Sequence, residues 1–259
     1  MERLRVFVGM TPWETLKRGT PLRRPSCKRH FRANGLKRLK NNKTKRYAAM
    51  LLTTAMLTVA PVRAEPSPEV QALAAKIVSD QFKTIINCER CDLREANFDG
   101  QFLRLAAFQG TNLTGARLRG AELTGIHLNR AKLDGANFSG ANMAGAVLTG
   151  ATLRGADLSN TRLDAVRMSG ADFTGANLSG ANLRMLEYVK KTKFTNVNAR
   201  NAIFRHAYLG RVDFTGADLS GADFTRAVGL TNEQLSRACG DDKTILPPGL
   251  SIPDCSKKN

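Results

Sequence analysis

Residues 171–182 read ADFTGANLSGAN. A large apolar residue stands at Phe173 and Leu178, with alanine two places before each, at Ala171 and Ala176. A polar residue lies between them (Asp172, Asn177), and glycine follows two places after (Gly175, Gly180). This five-residue unit extends in both directions. Twenty consecutive units run from Leu93 to Tyr188 in one register, one extra residue follows, and the register resumes from Phe194 to Phe224. Over the 27 units the central residue is Leu 15 times, Phe 8 times and Met twice, and only Tyr188 and Ala199 depart. Alanine precedes it in 17 units and glycine closes 15, so the repeat rather than any single motif decides the fold.

A period of five excludes an amphipathic helix. Five steps of about 100° rotate a side chain by about 140°, which would spread the Leu and Phe positions around the cylinder. Fifteen glycines inside a helix would also cost about 1 kcal/mol each relative to alanine. A short strand closed by a turn accounts for the pattern. Alternate residues of a strand share a face, so the central Leu or Phe and the alanine two before it both point inward. The residue between them points outward, and glycine supplies the backbone freedom for a corner. Alanine at the second inward position indicates a tight interior. Leu93, Phe98, Leu113, Phe138, Leu158, Phe173, Phe214 and Phe224 are thus placed in a core stack.

The units resemble the pentapeptide-repeat family, whose motif is A(D/N)LXX, over Cys91 to Arg226. The resemblance implies an all-β solenoid, a right-handed quadrilateral β-helix with four pentapeptides per coil. Twenty-seven units would then form about 6.75 coils, about 32 Å long at about 4.8 Å between coils. Each coil depends on its neighbours, and the two ends expose unpaired backbone.

Both flanks read as caps. In residues 65–90, PSPEVQALAAKIVSDQFKTII reads as a helix, with Ser67 to cap it, Pro68 in its first turn, and Val70, Leu73, Ile77 and Val78 on one stripe. In residues 227–259, Thr231-Asn232-Glu233-Gln234 is a capping-box pattern opening a short helix to about Ala238. The proline-rich tail ILPPGLSIPDC then lies across the last coil. Of the five cysteines, Cys27 lies before the signal-like segment, and three pairings are open to the other four, Cys88, Cys91, Cys239 and Cys255. An even count favours disulfides in an exported chain, and the expected pairs are Cys88–Cys91 and Cys239–Cys255, one at each end. A thioredoxin-like redox role for Cys88-Glu89-Arg90-Cys91 would need a thiolate stabilised at a helix N-terminus. Here the pair instead follows a helix and enters a β-coil.

The chain has 259 residues and a formal charge of +18. Residues 1–64 contribute 16 basic and 2 acidic side chains, and the remainder 24 and 20, so most of the charge lies outside the repeats. Mean hydropathy is −0.28 with one long apolar run, which excludes a multi-span membrane protein. That run, Tyr47 to Pro61, follows a basic stretch ending at Arg46 and precedes Val62-Arg63-Ala64. Residues 47–64 therefore read as a signal-peptide core and cleavage site, implying a periplasmic or secreted protein. The alternative is an inner-membrane anchor formed by 47–61. Residues 1–46 are a basic leader, long for a signal n-region. They read as a start assigned too far upstream, with translation beginning near Leu36 or Leu39. The other reading is a basic arm carrying Arg3, Arg5, Lys17, Arg18, Arg23, Arg24, Lys28, Arg29 and Arg32, though it holds no recognisable nucleic-acid motif.

No catalytic constellation stands out. His127 and His206 fall in different units, the recurring glycines form no phosphate loop, and the four cysteines, split by 147 intervening residues, make a poor zinc set. No cofactor, metal, small-molecule substrate or specific nucleic acid is expected. The segment 184–211 carries Arg184, Lys190, Lys191, Lys193, Arg200, Arg205 and Arg211 against Glu187 alone, and it contains the register break. It is the candidate partner-binding patch. The reading is a noncatalytic exported scaffold contacting a protein or envelope component. A DNA-mimic inhibitor of topoisomerase is the alternative implied by one family branch, but it would need an acidic rod in the cytoplasm. A thiol-redox protein is the third reading.

Overall fold

The computed structural model describes residues 65–80, 86–187 and 189–257, all within the second of two units divided after Thr58. The expectations for the leader, the signal segment and Tyr188 lie outside the described residues.

Parallel bridges join residues twenty apart, as in Asn97–Arg117–Asn137–Asp157–Asn177, so four pentapeptides make one coil. The expected strand shrinks to a single bridged residue per unit: the middle residue's N–H and C=O both bond the coil behind, while the C=O before it and the N–H after it bond the coil ahead. The Asn137 N–H donates to Ala116 O one coil back (2.9 Å), and the next N–H, of Phe138, donates to Asp157 O one coil ahead (2.7 Å). The corner then closes on itself, with Ala141 N–H donating to Phe138 O (2.9 Å). Each corner residue from Arg90 to Arg226 has positive φ, whether glycine, such as Gly140 at +67°, or not. Asn160, Asn196 and Asn201 occupy three of the corners without glycine, and Asn is among the L-residues that enter this region most readily.

The bridged residues define four faces. Face 1 carries Asn87, Ala107, His127, Val147, Arg167, Tyr208 and Val228, and face 2 runs from Asp92 to Asp213. Face 3 runs from Asn97 to Cys239, and face 4 from Phe102 to Ile245. Every residue of the expected core stack is buried to 1% exposure or less. Three buried threonines replace alanine at the second inward position. Thr111, Thr161 and Thr192 donate their hydroxyls to the carbonyls of Cys88, Phe138 and Met168 (2.6–2.9 Å), which removes the cost of burying them. Toward the C-terminal end, Phe204 stacks on Phe224 (centroids 4.9 Å, 2°) and Phe194 on Phe214 (5.6 Å, 17°).

Two boundaries differ from the sequence reading. The ladder begins one unit before Cys91, since Asn87 bridges Ala107, and Ile86 and Cys88 are buried as an inward pair. The register slip also comes earlier than expected. Val189 occupies the central buried position after Leu186, with Glu187 exposed between them. Gly170 N–H therefore bonds Lys190 O, twenty residues on, whereas Ala165 N–H bonds Arg184 O, nineteen on. The coil absorbs the extra residue inside face 1, as a bulge does. An aliphatic side chain fills the interior there with no hydroxyl to satisfy.

Helix α1, Pro68–Asp80, buries Val70, Ala74 and Ile77 in the same apolar cluster as Ile86 and Cys88. Ser67 Oγ accepts from Val70 N–H (3.3 Å). Helix α2, Asn232–Ser236, opens on Thr231 with both halves of the capping box formed, and its Leu235 is fully buried. Gln234 Nε2 also donates to the carbonyls of Leu209 and Val212, tying the helix to the last coil. Beyond it the chain does more than cross the end. Cys239 and Ile245 bridge Asp218 and Asp223 and continue faces 3 and 4, and the tail pairs Asp254 with Gly240.

Candidate interaction surfaces

The seven cations singled out in 184–211 do not form one patch. A coil turns a corner every five residues, so neighbours in sequence are carried to different sides. Lys190, Lys191 and Arg211 lie at the corner between faces 1 and 2, and Arg184 and Arg205 at the corner between faces 4 and 1. Lys193 is the bridged residue on face 2 between Asp172 and Asp213, and Arg200 lies at the corner between faces 3 and 4. Two of the seven are engaged within the coil. Arg200 pairs with Asp218 (3.1 Å) and Arg205 with Asp223 (2.5 Å), each reaching the following coil. Arg119–Asp99 (2.7 Å) and Arg154–Asp172 (2.9 Å) likewise link successive coils. The arginine ends of these pairs are solvent-exposed although Asp172 and Asp223 are buried, and pairs so open to water contribute about 0–1 kcal/mol each.

The outward Asp and Asn side chains have a role the period alone did not reveal. Their Oδ1 atoms accept from the N–H two residues on, as Asn137 does from Ser139 (2.9 Å) and Asp218 from Ser220 (3.0 Å), bracing the entry to each corner. Burial alone would raise the pKa of Asp172, Asp218 and Asp223. The hydroxyl and N–H groups of Thr174, Ser220 and Thr225, with Arg154, Arg200 and Arg205, outweigh it and hold all three below the usual carboxylate range. A depressed carboxylate stabilises the fold above its unfolded pKa, near 3.9, and that contribution is lost as pH falls through the lower folded value. The melting temperature should hardly change through this group of carboxylates between pH 7 and 5 and should fall progressively below about pH 4. Thermal unfolding followed by circular dichroism across that range checks it, and a melting temperature that is flat to pH 2.5 would contradict it.

Cys88 bonds Cys91, and Cys239 bonds Cys255. The first joins a buried central position to the next inward position, within the opening units of the coil. The second fastens the tail to the end of face 3. Asp218 approaches Cys255 Sγ (3.4 Å), but both sulfurs nearby are committed to the disulfide, so the cluster is no ligand set. His127 lies exposed on face 1, 3.4 Å from Gln109 Nε2, and His206 is an exposed corner residue at φ +58°. The two histidines therefore occupy separate positions on the coil, as their spacing predicts. Among the described residues no helix is long and apolar enough to cross a membrane.

Sequence reading by segment missed face 1. Its bridged positions carry no acid and Glu187, in the bulge, is the one described acid on it, whereas face 2 has Asp92, Asp172 and Asp213, face 3 has Asp157 and Asp218, and face 4 has Glu122 and Asp223. Writing the repeats in rows of twenty, with the extra residue placed before Val189, would have shown it.

The pentapeptide-repeat model matches this chain with eight copies, over residues 86–125, 121–164, 153–184 and 192–228. These segments span just over half of the sequence, and the chain belongs to the pentapeptide-repeat family, whose members fold as right-handed β-helices. Its fold is that of a pentapeptide-repeat coil. No curated protein is significantly similar in sequence. Among solved structures it is similar to full-length QnrB1, a plasmid-mediated fluoroquinolone resistance protein (18% identity, 61% of this chain and 92% of that one, TM-score 0.32). It is also similar to HetL, involved in heterocyst differentiation regulation in Nostoc sp. strain PCC 7120 (26%, 68% and 98%, TM-score 0.21). A pentapeptide repeat protein of the Arabidopsis thaliana thylakoid lumen matches at 33% identity over 49% of this chain and 72% of that one, TM-score 0.27. The family assignment rests on the repeats themselves.

Proposed function

We propose that the protein is a noncatalytic scaffold, exported to the periplasm or beyond, that presents the outer faces of its coil to a protein or envelope partner. One observation carries this reading. Three hydrogen-bonded threonines apart, the buried interior of the ladder is filled with apolar side chains, and the charged residues of the repeats stand at outward positions on a fixed lattice. A surface of that kind suits recognition. The reading of α1 and α2 as caps fits the exposed ends that any coil of this kind leaves. Export is supported by the basic, apolar and small-residue succession before Glu65 and by disulfides at both ends of the coil, bonds that persist in oxidising compartments. Cell fractionation with N-terminal sequencing tests the export half of the reading. The expected product is an envelope or secreted form beginning at or near Glu65. A cytoplasmic protein retaining residues 47–64 would overturn it.

A further inference from the structure

We propose that the C-terminal half of face 1 docks an acidic protein segment with apolar side chains. This names the face and the partner chemistry for the scaffold reading above, but it does not depend on export. Along this half, Tyr208 and Val228 are 46% and 56% exposed, and Met185 at the adjoining corner is 49% exposed. Cations line both edges. Lys190, Lys191 and Arg211 stand at the corner toward face 2, and Arg184, Arg205 and Arg226 at the corner toward face 4, with Arg167 on the face itself. Successive coils are about 4.8 Å apart, so the cations stand beside an apolar strip on three coils, about 10 Å from end to end.

The acids nearby leave this charge largely uncompensated. Glu187 is exposed on the same face, while Asp164 is paired with Arg162 (3.3 Å) and Glu233, near Arg211, with Arg237 (3.0 Å). Arg184, Lys190, Lys191, Arg211 and Arg226 form no ion pair among the described residues, in contrast to Arg200 and Arg205. Apolar and aromatic groups bordered by charge are the anatomy of a protein interface.

The ring of Tyr208 favours a protein over a lipid surface. Its hydroxyl lies 2.8 Å from where a Cβ on Gly210 would stand, and its Cε2 3.4 Å from a Cβ on Gly229. Glycine at 210 and 229 lets the ring lie down along the backbone, so it offers a flat plate and does not project to insert among acyl chains. The strip is also completed by the aliphatic Met185 and Val228, whereas single-stranded nucleic acid calls for a succession of stacking rings.

The probe is a fluorescein-labelled peptide of alternating Glu with Leu and Phe, mixed with the full chain at about 0.1 M salt and joined by a zero-length carbodiimide. Mass spectrometry then locates the Glu–Lys amides, which separates face 1 from the basic leader. Crosslinks are expected at Lys190 and Lys191 in at least tenfold excess over Lys132 and Lys243, which are exposed elsewhere on the described coil and tail. Tyr208→Ala and Arg211→Glu should each reduce them severalfold at an unchanged melting temperature. Arg211→Glu places at this corner a residue that Glu95 shows can hold one, at φ 57°. Equal labelling of Lys132 and Lys243, or yields unmoved by both substitutions, would overturn the proposal. So would competition by phosphatidylglycerol vesicles or a DNA duplex at lower concentrations than unlabelled peptide.

Discussion

Phe204→Ala is expected to lower the unfolding free energy by about 3–5 kcal/mol, the range for truncating a buried phenylalanine to alanine. Phe204 is fully buried, stacks on Phe224, and meets Phe194 and Phe214 edge-on at 6.3 and 6.1 Å. Its removal opens a cavity that backbone held by coil-to-coil hydrogen bonds cannot close. The loss should also be local. Coils touch only their neighbours, so the C-terminal coils should open before those around Leu118 and Leu133. Denaturant unfolding gives the magnitude and amide hydrogen exchange the location. A loss under 1 kcal/mol, or protection lost evenly along the coil, would show that the aromatic stack does not hold this end together.

Replacing Cys239 and Cys255 together by serine is expected to cost about 3 kcal/mol, from a cross-link spanning 16 residues. Cys239 O and Ile245 O accept from Leu219 N–H and Phe224 N–H of the last coil (both 2.8 Å), and Gly240 holds the tail through Pro253 and Cys255. Freeing the tail removes the cover from a sheet edge, and fraying then spreads inward. The amides of Leu219 and Phe224 should lose protection first in hydrogen exchange. The same change at Cys88 and Cys91, three residues apart, should cost less, about 2 kcal/mol on the same loop-entropy reasoning. Equal costs at the two ends would mean that loop entropy is not what the C-terminal bridge supplies.

Much of the architecture could be read from residue types alone, because a short period overdetermines it. Leu, Phe or Met every fifth residue, with alanine two before, gives inward pairs, and the buried columns follow from that alternation. The capping box at Thr231 and the start of α1 were legible for a similar reason, since each depends on contacts within four residues. The slip was located less well. One extra residue between Leu186 and Phe194 can be accommodated at several places, and local pattern does not choose among them. The choice of Val189 for the interior depends on how that coil fits the coils before and after it.

The candidate surface shows the same division. Segment counting found an excess of cations in 184–211 but treated them as one patch. Position on a coil repeats every twenty residues, shifted by one after the extra residue, so Lys193 and Arg200 went to other sides and Arg226, outside the segment, joined the face. The repeat, its inward residues, its corners and the family follow from residue types along the chain. Which outward residues share a face, which arginines the next coil neutralises, and that Tyr208 lies flat on Gly210 follow from the wound coil. The reason is physical: inward and outward are properties of three consecutive residues, whereas a face is made by residues one coil apart.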